Sequence, residues 1–217
     1  MLFHHEDAGD IEVRRVGWAD FAPWGDAFSR EQMADANQNL WAAIAVKPAA
    51  AELPELIEDF SALPLMLVHG VIESCGSPGG LVGLSQRYPI VPDAEVPEET
   101  LRAARKRSRR AFFVRTPAGL WAMRPPGADA SAAYQEAVAG FGQGKAGASF
   151  CGAMRALSLA CVLSPDPEQA KAAIEEYPAI PWILRGELEA RSGGGKALVR
   201  VSRRRARTSD IARAAWR

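Results

Sequence analysis

Residues 40–76 read LWAAIAVKPAAAELPELIEDFSALPLMLVHGVIESCG, and residues 157–193 read LSLACVLSPDPEQAKAAIEEYPAIPWILRGELEARSG. Aligned without a gap, at an offset of 117, they share nine identities: Leu40/Leu157, Ala43/Ala160, Pro48/Pro165, Ile57/Ile174, Glu58/Glu175, Ala62/Ala179, Pro64/Pro181, Leu67/Leu184 and Gly76/Gly193. Val46/Leu163, Asp59/Glu176, Phe60/Tyr177, Leu63/Ile180 and Val71/Leu188 keep their chemistry. Two alanine-rich segments of this length share about three identities by chance. Prolines and a glycine match as well as apolar positions, so the chain reads as a duplication.

Upstream, an offset of 110 aligns Leu2-Phe3 with Phe112-Phe113, Ala8-Gly9 with Ala118-Gly119, Arg14 with Arg124, Gly17 with Gly127 and Trp24 with Tyr134. The second copy therefore has seven extra residues, expected in the glycine-rich stretch 140–150. The chain divides into a first unit, residues 1–100, a basic linker, 101–110, a second unit, 111–198, and a basic C-terminal arm, 199–217.

In the second unit, Phe112–Arg115 and Leu120–Met123 flank Thr116-Pro117-Ala118-Gly119, whose proline and glycine suit a β-turn, so a hairpin is expected. Ala130–Ala139 and Ala148–Leu163 read as helices. Asp166-Pro167-Glu168-Gln169 is a helix start, with Asp166 as cap and Pro167 at the first helical position. That helix runs to Tyr177, and Pro181 opens the last one, ending near Gly193. Ile180, Leu184 and Leu188 recur every four residues and make a buried stripe. In the first unit, Ser29-Arg30-Glu31-Gln32 reads as a capping box opening a helix to about Val46, and Pro54 makes the short helix start late or kink. The expected class is mostly α with minor β: two similar copies, each a short β-hairpin followed by about four helices.

The chain has 26 basic and 26 acidic side chains, but the signs are segregated. Residues 1–101 hold 17 acids and 5 bases, a net −12, and residues 102–217 are correspondingly +12. Block charge of this kind implies attraction between the halves, or between the basic half of one copy and the acidic half of the next, which builds rings or stacks. The bases cluster at Arg102, Arg105, Lys106, Arg107, Arg109 and Arg110, and at Arg200, Arg203, Arg204, Arg205, Arg207, Arg213 and Arg217. Both clusters are candidate partner-binding residues, with Arg203, Arg204, Arg205, Arg207, Arg213 and Arg217 forming the arm's contact set.

No run of apolar residues approaches the roughly 18 that a membrane span needs, and acids and histidines near the start argue against a signal peptide. Three cysteines without CxxC spacing exclude a disulfide scaffold and a cysteine zinc site, and point to a reducing compartment. His4-His5-Glu6 lacks metal geometry, because adjacent strand side chains point to opposite faces. His69 is read as partly buried, and Cys151 and Cys161 as buried small hydrophobes. Glu58-Asp59 and Glu175-Glu176 read as solvated helix faces. Gly142-Gln143-Gly144-Lys145 fails as a phosphate loop, because Ala139 and Ala146 stand where glycine and Ser or Thr are needed. No catalytic, cofactor or metal residues are expected.

The second unit resembles the small tail-assembly, chaperone-like proteins of long-tailed bacteriophages. The resemblance rests on Phe113-Val114-Arg115-Thr116-Pro117-x-Gly119, Arg124-x-Pro126, Leu159-Ala160-Cys161-Val162-Leu163-x-Pro165 and Glu176-Tyr177-Pro178-x-Ile180-Pro181. It covers about 80 residues, and the first unit echoes it through the repeat. It implies a non-enzymatic phage tail or baseplate morphogenesis protein, an adapter or assembly factor in the virion or the host cytoplasm. Its partners would be tail or baseplate proteins with acidic surfaces, or further copies of itself; no cofactor and no membrane are implied. The alternative is a nucleic-acid-binding module using the arginine-rich segments. No aromatic residues interleave the first cluster, and the acidic first unit would repel a duplex.

Overall fold

The computed structural model describes residues 1–6, 8–49 and 51–192. Unit 1 runs β1 (Leu2–His5), β2 (Gly9–Val13), α1 (Trp18–Ser29), α2 (Met33–Ile44), β3 (Ala45–Lys47), α3 (Leu53–Asp59) and α4 (Leu63–Ser74). A connecting segment follows: α5 (Gly80–Gly83), β4 (Ile90–Val91) and α6 (Glu98–Arg107). Unit 2 repeats the first in order: β5 (Phe112–Thr116), β6 (Gly119–Met123), α7 (Ala128–Gly142), α8 (Phe150–Cys161), β7 (Val162–Ser164), α9 (Pro167–Glu176) and α10 (Ile180–Arg191). The fold is mostly helical, with two small antiparallel sheets ordered β1-β2-β3 and β4-β5-β6-β7.

The repeat extends to register. Glu12 pairs with Lys47 and Val13 with Ala45, with an irregularity between them; Ala122 pairs with Ser164 and Met123 with Val162, with the same irregularity. The Arg14 N–H donates to the Ile44 carbonyl and its guanidinium to the Ala43 carbonyl; Arg124 does the same to Cys161 and Ala160. The seven extra residues divide in two: α7 has 15 residues against 12 in α1, and the loop to α8 holds the other four.

Several expectations need correction. The hairpin loop of unit 1 is one residue longer than that of unit 2, since His5 pairs with Gly9 but Thr116 with Gly119. Leu2 therefore matches Phe113, and Phe3 matches Val114, one place from the sequence alignment. Ser29 opens no helix: it is the last residue of α1, its hydroxyl donates to the Gly25 carbonyl, and α2 starts at Met33. The apolar run taken as a helix to Leu163 leaves the helix after Cys161, because its last residues pair with β6. His69 is exposed.

Other local rules hold. The Asp166 carboxylate accepts the Glu168 and Gln169 N–H groups and caps α9. Pro54 lies in the first turn of α3, which begins three residues later than its counterpart. Gly119, at φ +107°, closes the β5–β6 turn in a conformation that L side chains rarely adopt.

One hydrophobic cluster spans both units, from Ile11, Phe21 and Trp41 to Trp121, Met154 and Ile180. The units are thus bodies of one shared core. A smaller cluster lies on the other face of the second sheet, where Phe113, Ala122 and Leu163 meet Val91, Val96 and Ala104 of the connecting segment.

Candidate partner-binding surfaces

The contact between units is made by α1, which crosses α8 and α10. Phe21, Phe28 and Phe150 surround Trp182, with ring centroids 6.4, 6.0 and 5.7 Å from it. Gly25 gives this crossing its closeness: a Cβ there would lie 2.5 Å from the Cys151 Sγ and 3.0 Å from the Trp182 ring. The Asp26 carboxylate accepts the Cys151 N–H at 2.8 Å, at the start of α8, where a helix end has unpaired donors. Arg15 bridges to Glu176 at 3.0 Å, and Arg87 to Glu187 at 2.8 Å. Arg155, itself paired with Glu175 at 2.6 Å, lies over the Trp18 ring. Glu175 and Glu176 are exposed, in keeping with the solvated face read from the sequence, and each also pairs with an arginine at the contact between the units.

The expected basic linker is ordered. Residues 98–107 form α6, which packs Leu101 and Ala104 onto the second sheet. Its acidic start, Glu98 and Glu99, and basic end, Arg105 to Arg107, suit the helix dipole. Three of its candidate arginines are engaged within the chain: Arg102 with Glu98, Arg105 with Asp93 and the Arg109 carbonyl, and Arg107 with the Leu163 carbonyl. The side chains of Lys106, Arg109 and Arg110 are exposed, with no hydrogen-bond or ion-pair partner among the described residues. Arg105, Arg109, Arg110 and Arg191 line a groove of about 460 Å³ beside Phe112 and Pro125. Arg191 stacks over the Phe112 ring at 4.0 Å. Arg200, Arg203, Arg204, Arg205, Arg207, Arg213 and Arg217 lie outside the described residues.

Comparison of the chain with protein-family models, with curated proteins and with solved structures finds no match.

Among the described residues no group of three or more His, Cys, Asp or Glu could hold a metal ion. His4 pairs with Asp10 at 2.9 Å on the exposed hairpin. All three cysteines are free and buried; burial pushes the Cys75 thiol up to about 12 and the Cys161 thiol up to about 11, so neither is an activated thiolate. Gly142 is the last residue of α7 and Lys145 lies five residues before α8, whereas the lysine of a phosphate loop sits at the start of its helix. No helix among the described residues is long and apolar enough to cross a membrane.

Proposed function

We propose that this chain is a non-enzymatic morphogenesis protein of a phage tail or baseplate, acting as a structural adapter or assembly factor through protein–protein contacts. The observation that carries the reading is the separation of charge on a doubled body. An acidic first unit is joined to a neutral second one flanked by basic segments, and Lys106, Arg109 and Arg110 have no partner among the described residues. Such guanidinium and ammonium groups suit acidic protein surfaces, and tethering them to a docked body raises their effective concentration. The resemblance of unit 2 to tail-assembly proteins supports the choice of particle.

The test is particle assembly. Two variants, one lacking Val201–Arg217 and one carrying Lys106→Glu, Arg109→Glu and Arg110→Glu, should keep the far-UV spectrum and melting temperature of the parent. Both should fail to enter the particle. A variant that folds and is incorporated normally refutes the reading. Binding of the parent to duplex DNA that falls steeply with salt would favour a nucleic-acid-binding module instead.

A further inference from the structure

Two faces of unit 2 are covered by unit 1 and the segment that trails it, whereas no described residue covers either corresponding face of unit 1. The first is the face of α8 and α10. Phe150, Trp182 and Ile183 pack beneath α1 and the segment around Arg87, whereas their counterparts Met33, Leu65 and Met66 are 48%, 51% and 60% exposed. The second is the outer face of the sheet. Phe113, Ala122 and Leu163 are covered by β4 and α6, whereas their counterparts Leu2, Glu12 and Val46 are exposed, Leu2 at 69% and Val46 at 52%. Large apolar side chains gathered on two faces of one unit are unusual for a surface that meets only water.

We infer that a second copy of this chain covers both faces, its unit 2 and trailing residues standing to unit 1 as unit 1 and its trailing segment stand to unit 2. Three observations select this occupant. The first is that residues 193–217 follow α10 as residues 75–110 follow α4, and the two stretches share an order of features. Gly193 to Gly195 match the glycines at 76, 79 and 80; Leu198, Val199 and Val201 match Ile90-Val91; Ile211-Ala212-Arg213-Ala214 matches Leu101-Arg102-Ala103-Ala104.

The second is charge. Glu58 and Asp59, the counterparts of Glu175 and Glu176, have no ion-pair partner among the described residues: Gln38 stands where Arg155 stands in the occupied contact, and an arriving unit 2 brings Pro125 where unit 1 brings Arg15. These acids and Glu12 await cations from outside, and residues 111–217, which would arrive, carry a net +6, all of it after residue 198.

The third is the fit of α7, the counterpart of α1. Glu136 replaces Asp26, so the carboxylate that would meet the start of α2 is kept; α2 has no side-chain cap of its own. Gln135 replaces Gly25, but the opposing Cys151 and Trp182 have become the smaller Ala34 and Leu65, so the bulk moves across the contact.

The relation is heterologous, and repetition gives a ring or a filament. It requires self-association alone, whichever particle the protein serves, so its failure and that of the phage reading separate.

The test uses full-length chains at low salt. Native mass should exceed the monomer at least twofold, and Leu65→Glu and Val46→Glu, both on exposed positions, should each return it to the monomer. Val138 is the counterpart of Phe28, which meets Trp182, the counterpart of Leu65. Under oxidation, a mixture of the Leu65→Cys and Val138→Cys chains should give a disulfide-linked dimer, whereas each variant alone should not. The inference is overturned by a monomer at every concentration, by oligomers indifferent to both glutamates, or by a Leu65→Cys chain that cross-links to itself.

Discussion

Leu65 and Trp182 occupy the same place in two copies of one fold, yet Leu65 is 51% exposed and Trp182 is 8% exposed. Leu2 and Phe113 repeat the contrast at the sheet, at 69% and 0%. The backbone of each pair is alike in element, register and irregularity. What differs is the neighbour: unit 2 has unit 1 against it, and unit 1 has nothing among the described residues. Duplication in this chain thus preserves a scaffold and lets the surface chemistry diverge according to what lies across the contact. The core diverges too: unit 1 buries Ile11 and Trp41, whereas the same positions in unit 2 are the buried Trp121 and Ser158.

The contrast is broken most sharply at Trp182. Trp182→Ala removes a ring held by Phe21, Phe28 and Phe150 and should cost about 3–5 kcal/mol. Leu65→Ala should change the stability of the monomer by less than about 0.5 kcal/mol. Urea denaturation of the two variants at low protein concentration checks both. Equal losses would mean that the exposed face is as built into the fold as the buried one.

This asymmetry marks how far the sequence could be read. Short-range chemistry was legible: Pro64 and Pro181 open helices, Asp166 caps one, and Ile180, Leu184 and Leu188 make a stripe that is fully buried. The strands β3 and β7 were hidden, because three residues at the end of an apolar helical run carry no period of their own. Helix α1 was hidden in unit 1 by Pro23 and Gly25, which weaken a helical pattern. The role of Trp182 could not be read at all, since its partners Phe21 and Phe28 lie in the other copy. Of the candidate site, the positions of the basic clusters were legible. That Arg105 and Arg107 are engaged by chain partners was not, because Asp93 and the Leu163 carbonyl are brought there by the fold.

A sharper version of the comparison exchanges size at the helix crossing. Gly25→Ala places a methyl 2.5 Å from the Cys151 Sγ and should destabilise by about 1–3 kcal/mol through overpacking. Gln135→Ala at the counterpart should be neutral to within about 0.5 kcal/mol in the monomer. The next effect is that of the cap supplied across the contact. Asp26→Ala leaves the Cys151 N–H without its acceptor and should cost about 1 kcal/mol, whereas Glu136→Ala should cost the isolated chain nothing measurable. Thermal melts of the four variants at low protein concentration rank the effects.

The smallest difference is a pH dependence confined to unit 1. Asp20 receives two hydrogen bonds of 2.7 Å from the Arg14 guanidinium and a third from the Gly17 N–H at 3.2 Å. The Arg14 hydrogen bonds are the largest cause holding its carboxyl below the usual value, with burial opposing them. A carboxyl depressed in the folded state stabilises above its unfolded value, near about 3.9, and the contribution is lost as pH falls through the folded value. Unit 2 keeps the arginine as Arg124 but has Ala130 in place of the acid, so it has no such dependence. Asp20→Asn should therefore lower stability at about pH 6, and the gap to the parent should close toward about pH 2. Denaturation midpoints at the two pH values decide it: a gap that is unchanged or wider in acid would mean that Asp20 acts as a neutral helix cap and that its charge contributes nothing.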